Sequence, residues 1–288
     1  MRSKFILGTV QFGLEYGINN SIGKPSKEKV FEILDYAKSC GIELLDTAKA
    51  YGTATNLIED YNHNQARPFD IITKFHSDIH SNDLDESLKQ FISNNGLDSI
   101  YACMFHSYND YRTDCKSMTK LVSLKSEGFI KKIGVSVYSN QEIESIINDD
   151  QIDLIQLPFN LLDNYQQKGE LLEKLREKGK IIHVRSIFLQ GLFFKDPNDL
   201  SHKLQPLRPA LIQIQKIAQE EGLTIEELAI SYALSVSSID NLVIGVDSLE
   251  QLKSNLTLEK SRIDQSIIDR INSITISDLS LLNPSNWN

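Results

Sequence analysis

The sequence predicts an α/β fold, a (β/α)8 TIM barrel, with residues 1–288 forming one domain. Eight short apolar runs alternate with longer amphipathic segments, which is the pattern of a parallel sheet with a helix after each strand. Eight such units are the number that closes a barrel. With 41% hydrophobic residues, a chain of this length can bury one large core.

The predicted strands are short runs rich in apolar and β-branched residues. They cover residues 5–10, 43–48, 70–75, 99–106, 132–138, 154–159, 181–188 and 241–246. The polar side chains at their carboxyl ends are the first candidates for function, because the carboxyl rim is the functional face of such barrels.

The first long helix is predicted over residues 26–41, where Val30, Ile33 and Leu34 follow helical spacing and Gly41 marks the end. Similar amphipathic patterns predict helices over residues 83–96, 119–128, 140–148, 168–179 and 224–235. The remaining segments are predicted to be a loop followed by a helix over 189–222, a late helix over 262–274, and a flexible polar tail over 280–288.

Composition excludes some classes of protein. A net charge of −9 argues against a nucleic-acid binder, since such proteins display a basic field. No apolar run approaches the roughly 18 residues of a membrane span, and the N-terminal apolar run lacks a signal-peptide cleavage pattern. A cytoplasmic enzyme is expected, and its oligomeric state is not predicted.

Metal and disulfide chemistry are not expected. The three cysteines are too few and too scattered for a disulfide framework or a thiolate metal site. His76 and His80 lie four residues apart with Asp78 between them, a spacing that suits a metal on a helix, but this segment follows a predicted strand and should be a loop. No metal is therefore predicted.

Four polar residues are predicted to face the carboxyl rim. Asp46, Lys74 and His106 end the second, third and fourth strands, and Tyr51 lies in the loop after Asp46. Each has an ordinary structural explanation: a helix cap, a solvated strand end, a hydrogen-bonded core histidine and a half-buried aromatic. Their joint placement at one mouth favours a functional site.

Together these residues form a proton-donating device. A tyrosine titrates near pH 10 in water, and an adjacent ammonium such as Lys74 lowers that pKa by stabilising the phenolate. Asp46 holds Lys74 in place and charged, while His106 donates a hydrogen bond that orients the substrate oxygen. Such a device suits a carbonyl that receives a hydride at carbon and a proton at oxygen.

At this point the chain resembles the aldo-keto reductase superfamily. The segment "GIELLDTAKAYG" at 41–52 is similar to a family signature, and matches continue in order through "IITKF", "MFHSY", "IKKIGVSVYS", "LIQLPFN" and "VIGVDSLEQLKSN" across nearly the whole chain. The resemblance implies a catalytic tetrad of Asp46, Tyr51, Lys74 and His106. It also implies a nicotinamide cofactor bound without a Gly-rich dinucleotide motif, which this sequence lacks.

The resemblance also implies cofactor-binding positions. Ser136 and Gln156 match residues that hold the nicotinamide carboxamide, although Val137 follows Ser136 where the family usually has asparagine. Ser186 and the segment from Leu189 to Gly191 match the loop that reaches the pyrophosphate. Gln251 and Asn255 match positions at the adenosine end.

Arg185 stands where the family often has an aromatic residue stacked on the nicotinamide ring. The guanidinium could stack through its plane, reach an anionic group on substrate or cofactor, or form a salt bridge at the barrel rim. All three interpretations stay open at this stage.

The choice between NADPH and NADH is close to even. Family usage favours NADPH. Relatives that use NADPH commonly place Lys or Arg in the segment that matches residues 245–251. Here that segment offers Gly245, Asp247 and Gln251, and Asp247 suits a ribose diol better than a 2′-phosphate.

The leading function is reduction of an aldehyde or ketone to an alcohol with NAD(P)H. A small-molecule sugar or sugar derivative is favoured by a polar mouth, for which the sequence offers Tyr16, Asn19, Asn160, Arg185 and the loop 106–112. Two alternatives remain open. Lys74 could form a Schiff base, as in an aldolase, or the barrel could bind the cofactor without catalysis and report redox state to a partner.

Overall fold

The computed structural model describes residues 3–20, 23–76 and 81–287. Its strands form one closed parallel barrel in the order β1 to β8, so the predicted fold class is confirmed. The strands are β1 (Phe5–Gly8), β2 (Leu44–Asp46), β3 (Asp70–Phe75), β4 (Ile100–Phe105), β5 (Ile130–Ser136), β6 (Leu154–Pro158), β7 (Ile181–Arg185) and β8 (Asn241–Gly245).

Helices follow the strands and cover the barrel. They are α1 (Val10–Gly13), α2 (Lys27–Ser39), α3 (Ala54–His63), α4 (Ser81–Asn94), α5 (Tyr108–Thr113), α6 (Cys115–Ser126), α7 (Asn140–Ile146), α8 (Tyr165–Glu177), α9 (Arg208–Glu221), α10 (Ile225–Ser235), α11 (Leu249–Thr257) and α12 (Gln265–Asn272). Local sequence explains their starts. Ser139 and Thr224 form capping boxes with Glu142 and Glu227, which satisfy backbone N–H groups at the starts of α7 and α10.

The parallel register brings the carboxyl ends of the strands to one rim. Gly8 lies opposite both Asp46 and Gly245, and Lys74 lies opposite Met104. Below the rim the barrel interior holds a small apolar cluster that includes Ile6 and Leu154, whereas a much larger core lies between the strands and the surrounding helices. The apolar layers fix the rim on which the polar side chains stand.

Some predicted strand ends are wrong. The first strand stops at Gly8 rather than residue 10, because Val10 already begins α1. The seventh stops at Arg185 rather than residue 188, since Ser186 adopts a φ of 59° that no extended strand can continue. The connection 189–222 contains short 3-10 helices, Leu189–Phe194 and His202–Leu207, before α9.

The C-terminal segment packs in part against the barrel. Leu281, Leu282 and Pro284 are buried, and two 3-10 helices, Leu279–Leu282 and Pro284–Asn286, shape the chain here. The Trp287 indole Nε1 donates to the Leu281 carbonyl at 2.8 Å. Flexibility of residues 280–288 stays a prediction.

In the part of the chain that the structure describes, no helix combines the length and apolar composition needed to cross a bilayer. Within residues 3–20, 23–76 and 81–287, no group of three His, Cys, Asp or Glu side chains is placed to hold a metal ion. Asp78 and His80 lie outside the described residues.

Candidate active site

A large cleft of about 1220 Å³ opens at the carboxyl rim. Asp46, Tyr51, Lys74 and His106 all line it, so the structure brings the four sequence-predicted residues to one mouth. A second cavity, lined by Phe5, Leu44 and Tyr101 among others, has only about 60 Å³ and is too small for a dinucleotide or a sugar.

A buried ion pair stands at the base of the cleft. The Lys74 Nζ donates to Asp46 Oδ1, and the two side chains are only 2% and 4% exposed. The Gln156 Nε2 donates to the other Asp46 oxygen at 2.8 Å. Burial is the largest single influence and acts to lower the pKa of Lys74, but the charge of Asp46, the nearby Tyr51 and the hydrogen bond to Asp46 together raise that pKa above the ordinary value. Lys74 is therefore held as an ammonium.

Tyr51 lies directly beside this cation. Its hydroxyl is 3.5 Å from the Lys74 Nζ. Burial raises the pKa of Tyr51, while Lys74 lowers it and Asp46 raises it, and the net result lies above the ordinary value. The expected net lowering is therefore wrong, although Lys74 acts in the expected direction. The phenol is fully protonated at neutral pH, which is the form that donates a proton.

His106 is held at the end of β4 as a neutral imidazole. Its backbone N–H donates to the Phe75 carbonyl at 2.9 Å. Its ring stacks on His76 with centroids 4.1 Å apart and meets the Tyr51 ring edge-on at 6.0 Å. Burial, with Lys74 and His76 adding to it, lowers the pKa of His106 to about 4. A neutral ring keeps one N–H that can donate to a substrate oxygen.

Tyr51 is positioned by a close backbone approach that the sequence did not signal. A Cβ added to Gly13, at the end of α1, would lie 1.7 Å from the Tyr51 carbonyl oxygen and 2.6 Å from the Ala54 nitrogen. Only glycine fits between α1 and the turn that carries Tyr51. This contact anchors the backbone of the candidate proton donor.

We expect Gly13→Ala to destabilise the fold by about 3 kcal/mol, because the new methyl group must displace backbone rather than a flexible side chain. Urea unfolding of the variant measures this loss. Gly169→Ala is the matched control: the three atoms nearest to its Cβ all belong to the partly exposed ring of Tyr165, which can rotate away. Equal stability of the two variants would contradict the packing argument.

Arg185, at the end of β7, stacks on an aromatic ring of its own chain. Its guanidinium carbon lies 4.2 Å from the centroid of Tyr138. Its Nη2 donates to Ser136 Oγ at 3.4 Å and to the Val137 carbonyl at 3.2 Å, and its Nη1 donates to Ser186 Oγ at 3.3 Å. No salt bridge joins Arg185 to a carboxylate of the described chain, so the rim salt bridge considered from the sequence is not formed there.

The sequence-predicted cofactor positions share the same cleft, with one exception. Those that line it are Ser136, Gln156, Arg185, Ser186, Gly191, Gly245, Asp247, Gln251 and Asn255. Leu189 does not line it, because its side chain is fully buried in the core. Its backbone takes the left-handed conformation, with a φ of 47°.

Two loops are joined across the cleft mouth. The Gln190 side chain donates to the Tyr16 hydroxyl at 3.0 Å, and the Gln190 backbone carbonyl accepts from the Ile18 N–H at 3.0 Å. Asn19 Nδ2 donates to the Gly191 carbonyl at 2.5 Å. The loop after β1 and the loop after β7 thus form a strap over one side of the cleft, which the sequence did not predict.

His183 is a buried polar residue that the sequence reading missed. It lies in the middle of β7, is 0% exposed, and stacks on Tyr101 with centroids 6.2 Å apart. Neither ring nitrogen has a hydrogen-bond partner among the described residues. Burial lowers its pKa to about 4. Its position in an apolar strand run gave no sign of this isolation.

We expect His183→Met to remove part of the acid sensitivity of the fold. Between pH 6.5 and 4 the unfolded chain binds a proton at His183 that the folded chain does not, so stability falls as pH falls. At pH 5 the variant should regain about 2 kcal/mol relative to the wild type. Urea unfolding at pH 7 and 5 measures this, with exposed His63→Met as the control. A parallel pH slope in wild type and His183→Met would refute it.

The chain is similar to known proteins along nearly its whole length. Residues 4–276 match the Aldo/keto reductase family. The chain is 24% identical over 281 residues to the uncharacterized oxidoreductase YqkF of Bacillus subtilis (strain 168), covering 89% of this chain and 90% of that protein. It is also 24% identical over 219 residues to the L-glyceraldehyde 3-phosphate reductase of Escherichia coli (strain K12), covering 65% of this chain and 62% of that one.

Among solved structures, the aldo-keto reductase AKR11C1 of Bacillus halodurans in its holo form superposes with a TM-score of 0.77. The alignment covers 96% of this chain and 93% of that one at 18% identity, so it speaks to the fold alone. The match to the family spans nearly the whole chain. The protein therefore belongs to the aldo/keto reductase family.

Proposed function

We propose that this NAD(P)-dependent oxidoreductase reduces an aldehyde or ketone to an alcohol, with Tyr51 as the general acid. Membership in the family supports carbonyl reduction. The observation that carries the role of Tyr51 is its protonated hydroxyl 3.5 Å from a buried ammonium, Lys74, in the cleft. This pairing holds a donor and the charge that stabilises its conjugate base in one place.

The proposed reaction assigns one task to each side chain. A reduced nicotinamide, held by Ser136 and Gln156, would supply the hydride, with its electron pair, to the carbonyl carbon. Tyr51 transfers its hydroxyl proton to the carbonyl oxygen, so that an alcohol results. Lys74 stabilises the phenolate that remains, and Asp46 keeps Lys74 charged and in place. His106 donates a hydrogen bond that orients the carbonyl oxygen.

The residues present fit a nicotinamide carboxamide. Gln156 is fully buried in the cleft wall, and although its Nε2 is bonded to Asp46, its Oε1 has no partner among the described residues. That oxygen can accept from a carboxamide N–H, and the Ser136 hydroxyl beside it can donate or accept. An unpartnered buried acceptor is costly, which supports a ligand at this point.

The other end of the cleft supports NADH over NADPH. Asp247 and Glu226 line the cleft, and residues 245–251 contain no Lys or Arg. One Asp247 oxygen is buried without a partner in the described chain, and burial raises the pKa of this carboxyl. A ribose hydroxyl would supply the missing hydrogen bond, whereas a 2′-phosphate would be repelled by the ionised carboxylate.

The aldolase alternative is less well supported. Schiff-base formation needs a neutral amine with a depressed pKa, whereas the pKa of Lys74 is raised and its ammonium is bonded to Asp46. A non-catalytic redox sensor would need no proton donor, and it gives no reason for a buried ammonium beside Tyr51.

The cleft supports a small polar carbonyl substrate such as a sugar or sugar derivative. Tyr16, Asn19 and Gln190 line it with polar groups. Asn160, which the sequence also placed at this mouth, instead braces the loop after β7 by donating to the Ser186 carbonyl at 3.2 Å. The similarity to an enzyme named for a three-carbon sugar phosphate agrees with a polar substrate.

Titration with NADH and with NADPH, monitored by fluorescence of the reduced nicotinamide, tests which cofactor the protein prefers. A panel of sugars, short aldehydes, aromatic aldehydes and steroids, read as loss of nicotinamide absorbance, then tests the substrate. We expect tighter binding of NADH and the highest kcat/KM for polar aldehydes. Preference for steroids would sink the substrate proposal, and no carbonyl-dependent oxidation of either cofactor would sink the function.

A further inference from the structure

Arg185 is a half-buried cation in the cleft whose charge is not neutralised. Its three hydrogen bonds go to the neutral oxygens of Ser136, Val137 and Ser186. A half-buried guanidinium with neutral partners retains most of its positive field, since hydroxyl and carbonyl dipoles do not cancel a full charge.

The acidic groups around Arg185 are already engaged. Asp46 is bonded to Lys74 and Gln156. Asp163 pairs with the Lys168 ammonium at 3.1 Å. Burial raises the pKa of Asp163, although Lys168 and then Arg185 act to lower it. In a chain whose net charge is −9, an uncompensated cation inside the cleft marks a place for an anion.

The orientation of Arg185 is built into the fold. Its guanidinium lies 4.2 Å from the centroid of Tyr138, and the Tyr138 carbonyl accepts from the Lys168 Nζ at 3.3 Å. Lys168 is itself only 4% exposed and paired with Asp163. A planar cation held against a ring by a buried brace is preorganised to bind a carboxylate or phosphate through two parallel N–H groups.

Arg185 lies within electrostatic reach of the proton donor. Burial raises the pKa of both Tyr51 and Tyr16, and Arg185 acts to lower each of them. The contacts place it there too: Arg185 donates to Ser136, which pairs with Gln156 across β5 and β6. Gln156 in turn donates to Asp46, so an anion bound by Arg185 shares the part of the cleft that holds Tyr51 and the carbonyl oxygen of the substrate. This proximity favours a substituent of the substrate over a distant phosphate of the cofactor.

We propose that Arg185 binds an oxyanion, a carboxylate or a phosphate, carried by the carbonyl substrate itself, and so selects acidic carbonyl compounds. The inference rests on the proposed function and narrows its substrate class. Arg185 is a specificity residue in this scheme: the transfer of hydride and proton is unchanged, and the charge pair fixes the carbonyl in front of Tyr51.

Matched substrate pairs test the proposal: glyceraldehyde 3-phosphate against glyceraldehyde, and succinic semialdehyde against butanal. The wild type should show a higher kcat/KM for the anionic member of at least one pair. Arg185→Met should lower the anionic-to-neutral ratio by about 10- to 100-fold, the range expected for a charge-assisted hydrogen bond. Arg185→Lys should retain part of the ratio. Lys216→Met removes an exposed positive charge that does not line the cleft, and it should leave the ratio unchanged.

A binding measurement separates this inference from the function. The same pairs are titrated by calorimetry into protein saturated with oxidised cofactor, where no reduction occurs. Loss of the anionic preference in Arg185→Met alone supports the proposal even without turnover. An unchanged anionic-to-neutral ratio in both assays overturns the proposal. An equal fall in kcat/KM for both substrates, together with weaker binding of reduced cofactor, also overturns it, because that result would assign Arg185 to the cofactor. Absence of turnover with the binding preference intact would count against the function instead.

Discussion

Tyr51→Phe should lower kcat/KM for carbonyl reduction by roughly 10³-fold, within the range that a positioned general acid contributes. The hydroxyl lies 3.5 Å from the Lys74 ammonium and can give up a proton, and phenylalanine keeps the ring that meets His106 edge-on. Reduced-cofactor affinity should change by less than about twofold, since the loss concerns proton transfer alone. Steady-state kinetics and fluorescence titration measure the two quantities separately.

Tyr61→Phe is the matched control for that variant. Tyr61 lies on α3, shortly after the turn of Tyr51, and outside the cleft lining. Its hydroxyl donates a hydrogen bond of 2.6 Å to Asp35. Its loss should cost about 1 kcal/mol of stability and leave kcat/KM near the wild-type value. Retention of near-wild-type turnover by Tyr51→Phe would remove Tyr51 from the mechanism.

The order of strands and helices could be predicted from the sequence because it depends on local pattern. Apolar runs such as residues 70–75 became β3 without change. The ends of other strands could not be predicted. The seventh ends before Ser186, whose left-handed backbone conformation follows from packing of the loop after β7 rather than from residue type. Periodicity therefore located the barrel and its rim but not the loops that shape the cleft.

The candidate site was also predictable from the sequence only in part. Residue types at strand ends were enough to bring Asp46, Tyr51, Lys74 and His106 together, given the barrel. The net pKa of Tyr51 was not predictable, because it depends on how deeply the ring is buried and not only on its neighbouring cation. The hydrogen bond from Gln156 to Asp46 joins residues 110 apart in the chain, so no local signal could reveal it.

Lys74→Met should damage both activity and stability. The variant leaves the Asp46 carboxylate buried without its cation, with Gln156 as its remaining hydrogen-bond donor, and breaking a buried pair on one side typically costs about 3–5 kcal/mol. It also removes the charge that stabilises the phenolate of Tyr51, so kcat/KM should fall by roughly 10²-fold or more. Urea unfolding and steady-state kinetics measure the two losses.

The double variant Asp46→Asn/Lys74→Met separates those losses. An amide in place of the carboxylate removes the uncompensated charge, so the double variant should recover much of the stability lost in Lys74→Met while staying as inactive, because the ammonium is still missing. The wild-type pair should also give an alkaline signature. The folded pKa of Lys74 lies above its ordinary 10.5, so its stabilisation is fully present below that value and is lost as pH rises past the folded pKa. If activity returned together with stability in the double variant, Lys74 would be a structural residue and Tyr51 would need no cation beside it.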